Sequence, residues 1–468
     1  MQKSLRPITS LLLGTALLLA GNGVHFTLLP LRGSAEGFAD ITLGIIGSAY
    51  YVGFVTGCIA GPYVILRAGH IRAFTAMVAV ATAVALAYAL APTPVAWIVF
   101  RALTGFCLAG LFLIIESWLN DRAENSTRGL VMSVYVMINF AALMVGQLLV
   151  PLYPVTTGGA FALSAILCSL AIVPVALTRS AQPAPITIVK FRPMVLYKAA
   201  PVALVAAFMI GIANGAFWGL GPLAVAGAGL GVQEVASFMS LAVLAGALAQ
   251  WPIGRISDRF DRRLVLLVLL VAATAGSALI WFVAASGPLL LAFGFVFGAL
   301  VLPGYALAAA HGYDKTTSSE MVPTAATILL ANGLGAVVGP LAGSAVMASG
   351  NPLGLFLFTA ITQALLAVYV FYRTRVQVAP SLQEKTEFDL GATAEVGAVA
   401  PVTTDPADPF VVVPEGYQSS EQPADVAADT RQPQQDPPPE ESPAPETVTY
   451  PDAEVEILPP ERPPGVRS

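Results

Sequence analysis

Gly254-Arg255-Ile256-Ser257-Asp258-Arg259-Phe260-Asp261-Arg262-Arg263 gathers four arginines and two aspartates between two long apolar segments, residues 236–253 and 264–284. Each flanking segment is close to the roughly twenty apolar residues that cross a hydrocarbon core, so the charged run reads as a short loop between two membrane spans. Its arginines must stay hydrated, and basic loops are retained on the cytoplasmic side. That reading orients every other apolar segment.

Composition agrees with it. Of the 468 residues 56% are hydrophobic and only 11% charged, a balance of polytopic membrane proteins and not of soluble domains. The net charge of −5 joins two regions of opposite sign: from residue 379 onward there are 18 acidic and 4 basic residues, and before it 10 acidic and 19 basic. The membrane part is basic and the tail acidic. Cys58, Cys107 and Cys168 all fall in apolar spans, where they serve as small packing side chains and form no disulfide framework. The start, Lys3 and Arg6 followed by an apolar run, has the outline of a signal peptide. Its recurrence later in the chain argues for a helix that is kept.

Twelve spans are expected, at about 9–31, 41–66, 73–92, 95–118, 130–151 and 159–178, then 200–224, 233–255, 264–284, 287–311, 322–348 and 353–373. Each must be helical, because lipid offers no partner to backbone N–H and C=O groups. With the amino terminus inside, the inner segments collect Arg67, Arg72, Arg122, Arg128, the four arginines of the opening stretch, Lys315, Arg373 and Arg375, while the outer loops hold only Arg32. That asymmetry places both termini in the cytoplasm.

The chain also repeats itself. Asn22 through Pro30 aligns with Asn214 through Pro222, and the same offset carries Arg67 onto Arg259; one residue more carries Asp121 onto Asp314, Asn139 onto Asn332 and Gly146 onto Gly339. Six helices, 1–178, are repeated in parallel as six more, 200–378, joined by a linker, 179–199. Residues 379–468 hold 17 prolines and no apolar periodicity. A segment of that composition buries too little to offset its ordering entropy, so it is expected to be disordered, with residues 410–413 as a short docking motif or simply more of the solvated tail.

A glycine, three residues, Asp-Arg and, two residues on, a basic pair resembles the loop signature of the major facilitator superfamily, with Asp261 in place of its second glycine. Parallel six-helix halves with a cytoplasmic link match that superfamily's fold, and the resemblance covers about residues 1–378. It implies an all-α membrane protein of two six-helix bundles. It further implies that Asp258, with Arg259, Arg262, Arg263 and the repeat-related Arg67, forms a conformational gate. The aspartate would face the amino end of a helix from the other half, near Ser126 and Thr127 at the start of the fifth span. The first half departs from the pattern, because Leu66 stands where its aspartate would be. The fifth span also lacks the G-x-x-x-G-P run of drug and proton antiporters, whose like appears at Gly335–Pro340 in the eleventh; drug efflux is not supported there.

No phosphate-binding G-x-x-x-x-G-K-[ST] loop exists, His25, His70 and His311 are too scattered to suggest a metal set, and no nucleophile–base spacing suggests an enzyme. Intramembrane polar groups are the informative ones, since they are costly in lipid without a partner or water. Arg101, in Arg101-Ala102-Leu103-Thr104-Gly105, resembles the superfamily's fourth-helix R-x-x-x-G signature, which implies substrate or proton coupling; the alternative is an arginine reaching the outer headgroups. Glu116 follows fifteen residues on, about 22 Å along the helix and within about 60° of the same face, so the two would serve opposite mouths of one cavity, or Glu116 is a hydrated helix-end charge. Asn22 and His25 share a face of the first span, Asn214 repeats Asn22, and Asn139 and Asn332 form a second repeated pair. These either line a cavity or hydrogen-bond neighbouring helices. The expectation is a secondary transporter of the inner membrane, moving a small organic solute without a cofactor. Its partners would be the bilayer and a coupling proton, with no nucleic acid. A transport-inactive sensor acting through a cytoplasmic partner of the tail is the alternative.

Overall fold

The computed structural model describes residues 8–124, 127–177, 188–189, 191–283, 287–317, 320–376 and 411–412. Twelve helical segments in it are long and apolar enough to cross a membrane. In the first half they are Thr9–Ala35, Asp40–Ala68, His70–Leu90, Pro94–Arg122, Arg128–Leu152 and Gly159–Ala176. In the second they are Pro201–Gly227, Val232–Arg259, Arg262–Val283, Gly287–Tyr313, Met321–Met347 and Gly354–Val376. Pro94 and Pro201 open their helices at the first turn, where the missing N–H has no intrahelical partner to lose. A single residue, Gly69, separates the second span from the third at φ 81°, a conformation that disfavours any side chain.

Two spans are not continuous helices. The sixth breaks at Ala171, between Gly159–Leu170 and Ile172–Ala176. The tenth, expected as one run, ends at Val301 and resumes at Gly304, because Pro303 has no N–H to give the preceding turn. The linker region holds a two-residue strand, Ile188–Val189, and a short helix, Pro193–Ala199. That strand pairs antiparallel with Val411–Val412, within the segment read as structureless. The rest of the tail, and Ser126, lie outside the described residues.

The repeat is visible as repeated contacts. A methyl group on Gly146 would overlap the Ala20 carbonyl, and one on Gly339 the Ile212 carbonyl; Gly105 likewise meets the Tyr50 carbonyl, and Gly298 that of Ala242. These partners are related by the 192- and 193-residue offsets of the sequence repeat. Only glycine lets the first and fifth, second and fourth, seventh and eleventh, and eighth and tenth spans approach this closely at those points.

Taking the turns around Gly69, Arg122–Arg128, Arg259–Arg262 and Lys315 as the arginine-rich face, the halves meet tightly toward the opposite, Arg32-bearing face. Gly44 and Gly47 of the second span abut Ser344 and Pro340 of the eleventh. Ser240 of the eighth span donates to the Met144 carbonyl at 3.3 Å and to Gln147 Oε1 at 3.4 Å on the fifth. An apolar cluster continuous across both halves, including Leu43, Ile46 and Trp97 with Phe217, Leu220 and Phe297, fills the same level.

Candidate functional site

Below that seal lies a cavity of about 210 Å³ lined from both halves. Aromatic rings form much of its wall: Phe26, Tyr50 and Phe54 from the first half face Trp218 and Tyr305 from the second. Phe26 stands edge-on to Tyr50 with ring centroids 5.3 Å apart and tilted against Trp218 at 5.6 Å, so the two halves touch through these rings. The break at Pro303 brings Leu302, Tyr305 and Ala306 to the wall. Among the described residues no charged one lines it.

The four asparagines singled out by the repeat, Asn22, Asn139, Asn214 and Asn332, all line this one cavity. They are not equivalent. Asn332 Nδ2 donates to the Ala207 carbonyl at 3.0 Å, tying the eleventh span to the seventh. Asn22, Asn139 and Asn214 each present a buried Oδ1 without a hydrogen-bond partner, as does Gln250 Oε1 from the eighth span. Which amide atom faces the cavity is a matter of a flip, so each can donate or accept there.

Arg101 and His25 do not line the cavity; they sit behind its wall. Arg101 is 3% exposed, with its guanidinium carbon 4.6 Å from the Tyr50 ring centroid and 5.0 Å from that of Phe26. It is enclosed among rings and does not reach outward to headgroups. His25, also buried, packs edge-on against Tyr88 at 5.5 Å and near Phe161 at 6.1 Å.

Glu116 lies toward the arginine-rich end of the same fourth span, one turn past the cavity residue Phe112. At 2% exposure it is not a hydrated helix-end charge. Tyr135 Oη donates to its Oε1 at 3.0 Å, and Tyr135 adjoins Val136, another cavity residue. Arg101 and Glu116 thus flank the cavity at its two ends without touching.

In the opening stretch, Arg262 Nη2 lies 3.2 Å from Asp258 Oδ1 and its Nε 3.3 Å from Asp314 Oδ2, with Arg262 and Asp314 each 1% exposed at the side chain. Arg262 thus joins the loop aspartate to Asp314 of the same half. Asp261, the residue in the second glycine's place, caps the ninth span: its Oδ1 accepts the Arg263 backbone N–H at 2.9 Å and its Oδ2 the Arg263 Nη2 at 2.8 Å. Burial alone would raise the Asp261 pKa, but the hydrogen bonds and charge of Arg263, with a smaller effect of His311, lower it on balance. Arg67 and Arg259 are exposed at the ends of their helices.

Sequence reasoning missed Tyr50, Trp218, Gln250 and Tyr305. Gln250 alone carried a usable signal, as a polar residue inside an apolar span.

Comparison with known proteins bears on all of this. The pattern of the Major Facilitator Superfamily matches residues 11–203 and again 203–414. A protein of Escherichia fergusonii described as an uncharacterized MFS-type transporter, YcaD, is 28% identical over 337 residues, covering 72% of this chain and 87% of its own. Among solved structures, the nucleoside transporter NupG superposes with a TM-score of 0.67 at 14% identity, over 78% of this chain and 98% of that one. A bacterial homologue of the human lysosomal transporter Spinster, in an inward-facing and occupied conformation, gives 0.66 at 13% identity, over 81% and 97%. At such identities these two structures speak to the fold alone.

Proposed function

Because the chain belongs to the Major Facilitator Superfamily, we propose that it is a secondary transporter that carries a small organic solute across the inner membrane by alternating access of the central cavity. The observation that carries this reading is the cavity's construction: it is shared between the halves, lined by repeat-related asparagines, and covered toward one face by contacts between the halves. The basic loops support a cytoplasmic arginine-rich face with both termini on that side; on this reading the conformer described is the outward-closed one. In this reading residues 1–178 and 200–378 are the moving bodies and 179–199 their connection. Asn22, Asn139, Asn214 and Asn332 bind solute, and Arg101 and His25 act from behind the wall.

Glu116 is the carboxylate best placed to carry a coupling proton, being buried one turn from the cavity and held by Tyr135. Asp258, Arg259, Arg262, Arg263 and Arg67 form the cytoplasmic gate, in which Arg262 holds Asp258. The test is gradient-driven uptake or exchange by the purified protein in liposomes, across a panel of solutes that stabilise it. Solutes that bind and are never moved would replace transport with the sensor reading.

A further inference from the structure

Arg101 is a buried cation for which, among the described residues, no carboxylate lies within ion-pair distance. Its Nη1 has no hydrogen-bond partner, and neither do the buried Asn22 Oδ1 and His25 Nε2. His25 lies within the field of its charge, and the Tyr88 hydroxyl is near enough to accept a hydrogen bond from it. An ionised side chain at this depth is costly unless it is paired. The faces of Phe26 and Tyr50 attract a guanidinium, but they leave an in-plane N–H without an acceptor. A guanidinium fork is shaped to take a carboxylate through two parallel hydrogen bonds.

Phe26 and Tyr50 are also the cavity's wall, so one layer of rings separates Arg101 from the solute space. Among the described residues, no carboxylate lines that space to satisfy the arginine and no second cation lines it to compete. Its volume of about 210 Å³ is room for several waters or a small metabolite. We infer that the substrate is a small organic carboxylate. Its charged group reaches Arg101 as the Phe26 and Tyr50 rings part, with the Asn22 amide also able to donate to it, while its body lies among the aromatic rings and the Asn139, Asn214 and Gln250 amides. This rests on the transporter reading above, with the cavity as the solute site.

The experiment is thermal unfolding of the purified full chain in detergent with carboxylates graded from acetate to benzoate, beside benzamide and benzylamine as the neutral and cationic counterparts of benzoate. Carboxylates are expected to raise the unfolding temperature with concentration, and the two counterparts to leave it unchanged. Arg101→Gln is expected to weaken the benzoate response at least about tenfold, the worth of hydrogen bonds to a charged group, and Arg101→Lys to keep part of it. Arg101→Gln also gives up the guanidinium's contacts with the Phe26 and Tyr50 rings, so each protein's ligand response is read against its own unliganded unfolding temperature. The inference is overturned if no carboxylate stabilises the parent, if benzamide matches benzoate, or if Arg101→Gln responds as the parent does. Flux of an uncharged solute in liposomes, with no carboxylate response, would leave transport standing and remove the anion. Carboxylate binding without flux would do the reverse.

Discussion

Glu116 and Asp261 show how much a single carboxylate's role depends on its surroundings. Glu116 is enclosed and accepts a hydrogen bond from Tyr135, which joins it to the fifth span beside the cavity residue Val136. Glu116→Gln is expected to abolish accumulation against a gradient while downhill exchange stays measurable in liposomes; accumulation at the parent's level would remove Glu116 from coupling. Asp261 stabilises instead, as the cap of the ninth span. Its pKa is lowered in the fold, so its contribution is fully present above the ordinary aspartate value and is lost as pH falls through the folded one. Asp261→Ala should therefore cost about 1 kcal/mol at neutral pH, a typical cap loss. The gap to the parent should close below about pH 4, which melting curves at several pH values would check. Sequence could single out the asparagines, Arg101 and Glu116 because polar residues stand out in apolar spans. It was silent on Tyr50 and Trp218, since an aromatic ring in a span suits lipid, core and cavity wall equally well. Nor could spacing tell that Arg101 would lie behind the wall and not in it, because that depends on where the second span's tyrosine falls.

Helices were the most legible level, and the repeat shows why. Glycines at matching offsets are matching backbone contacts: Gly146 against Ala20 and Gly339 against Ile212 are the same crossing made twice. At both points the neighbour is a main-chain carbonyl, which a side chain cannot push aside as it would a flexible neighbour. Gly146→Leu and Gly339→Leu are each expected to destabilise the protein by about 1–3 kcal/mol, the usual penalty of overpacking, read as lower melting temperatures in detergent. Gly129→Ala, with open space around the added methyl, is the control and should melt within experimental reach of the parent. The interruption at Pro303 was not legible. Pro30, Pro222 and Pro340 sit inside unbroken helices of this same chain, so a proline in a span does not by itself announce a break; neighbouring helices decide whether the freed carbonyl is tolerated. The strand pair between Val189 and Val411 was equally hidden, since two-residue pairings leave no periodicity to read.

At the scale of the whole molecule the sequence pointed to two halves but not to which way they are tilted, because on the alternating-access proposal the chain must carry the contacts of both conformers. The structure supplies one side of that pair. Toward the Arg32-bearing face the halves are held by close packing of Gly44 and Gly47 on the eleventh span and by the Ser240 hydroxyl, which reaches both the Met144 carbonyl and Gln147 across the seam. Packing of this kind is spread over many atoms, whereas the hydroxyl is a discrete contact that one substitution removes. Hydrogen bonds between membrane helices contribute about 0.6 kcal/mol on average, and each 1.4 kcal/mol is tenfold in an equilibrium. Ser240→Ala should therefore move the balance about threefold toward the form open on that face, while changing no cavity residue. The reporter is Ser344→Cys, a near-isosteric change at a fully buried position in the same seam, on a background with Cys58, Cys107 and Cys168 replaced. A membrane-impermeant maleimide added from the Arg32 side should label it about three times faster when Ser240 is alanine, and an excess of transported solute should alter both rates. Equal labelling in parent and variant would leave Ser240 as a packing residue, with the seam held by its glycines alone.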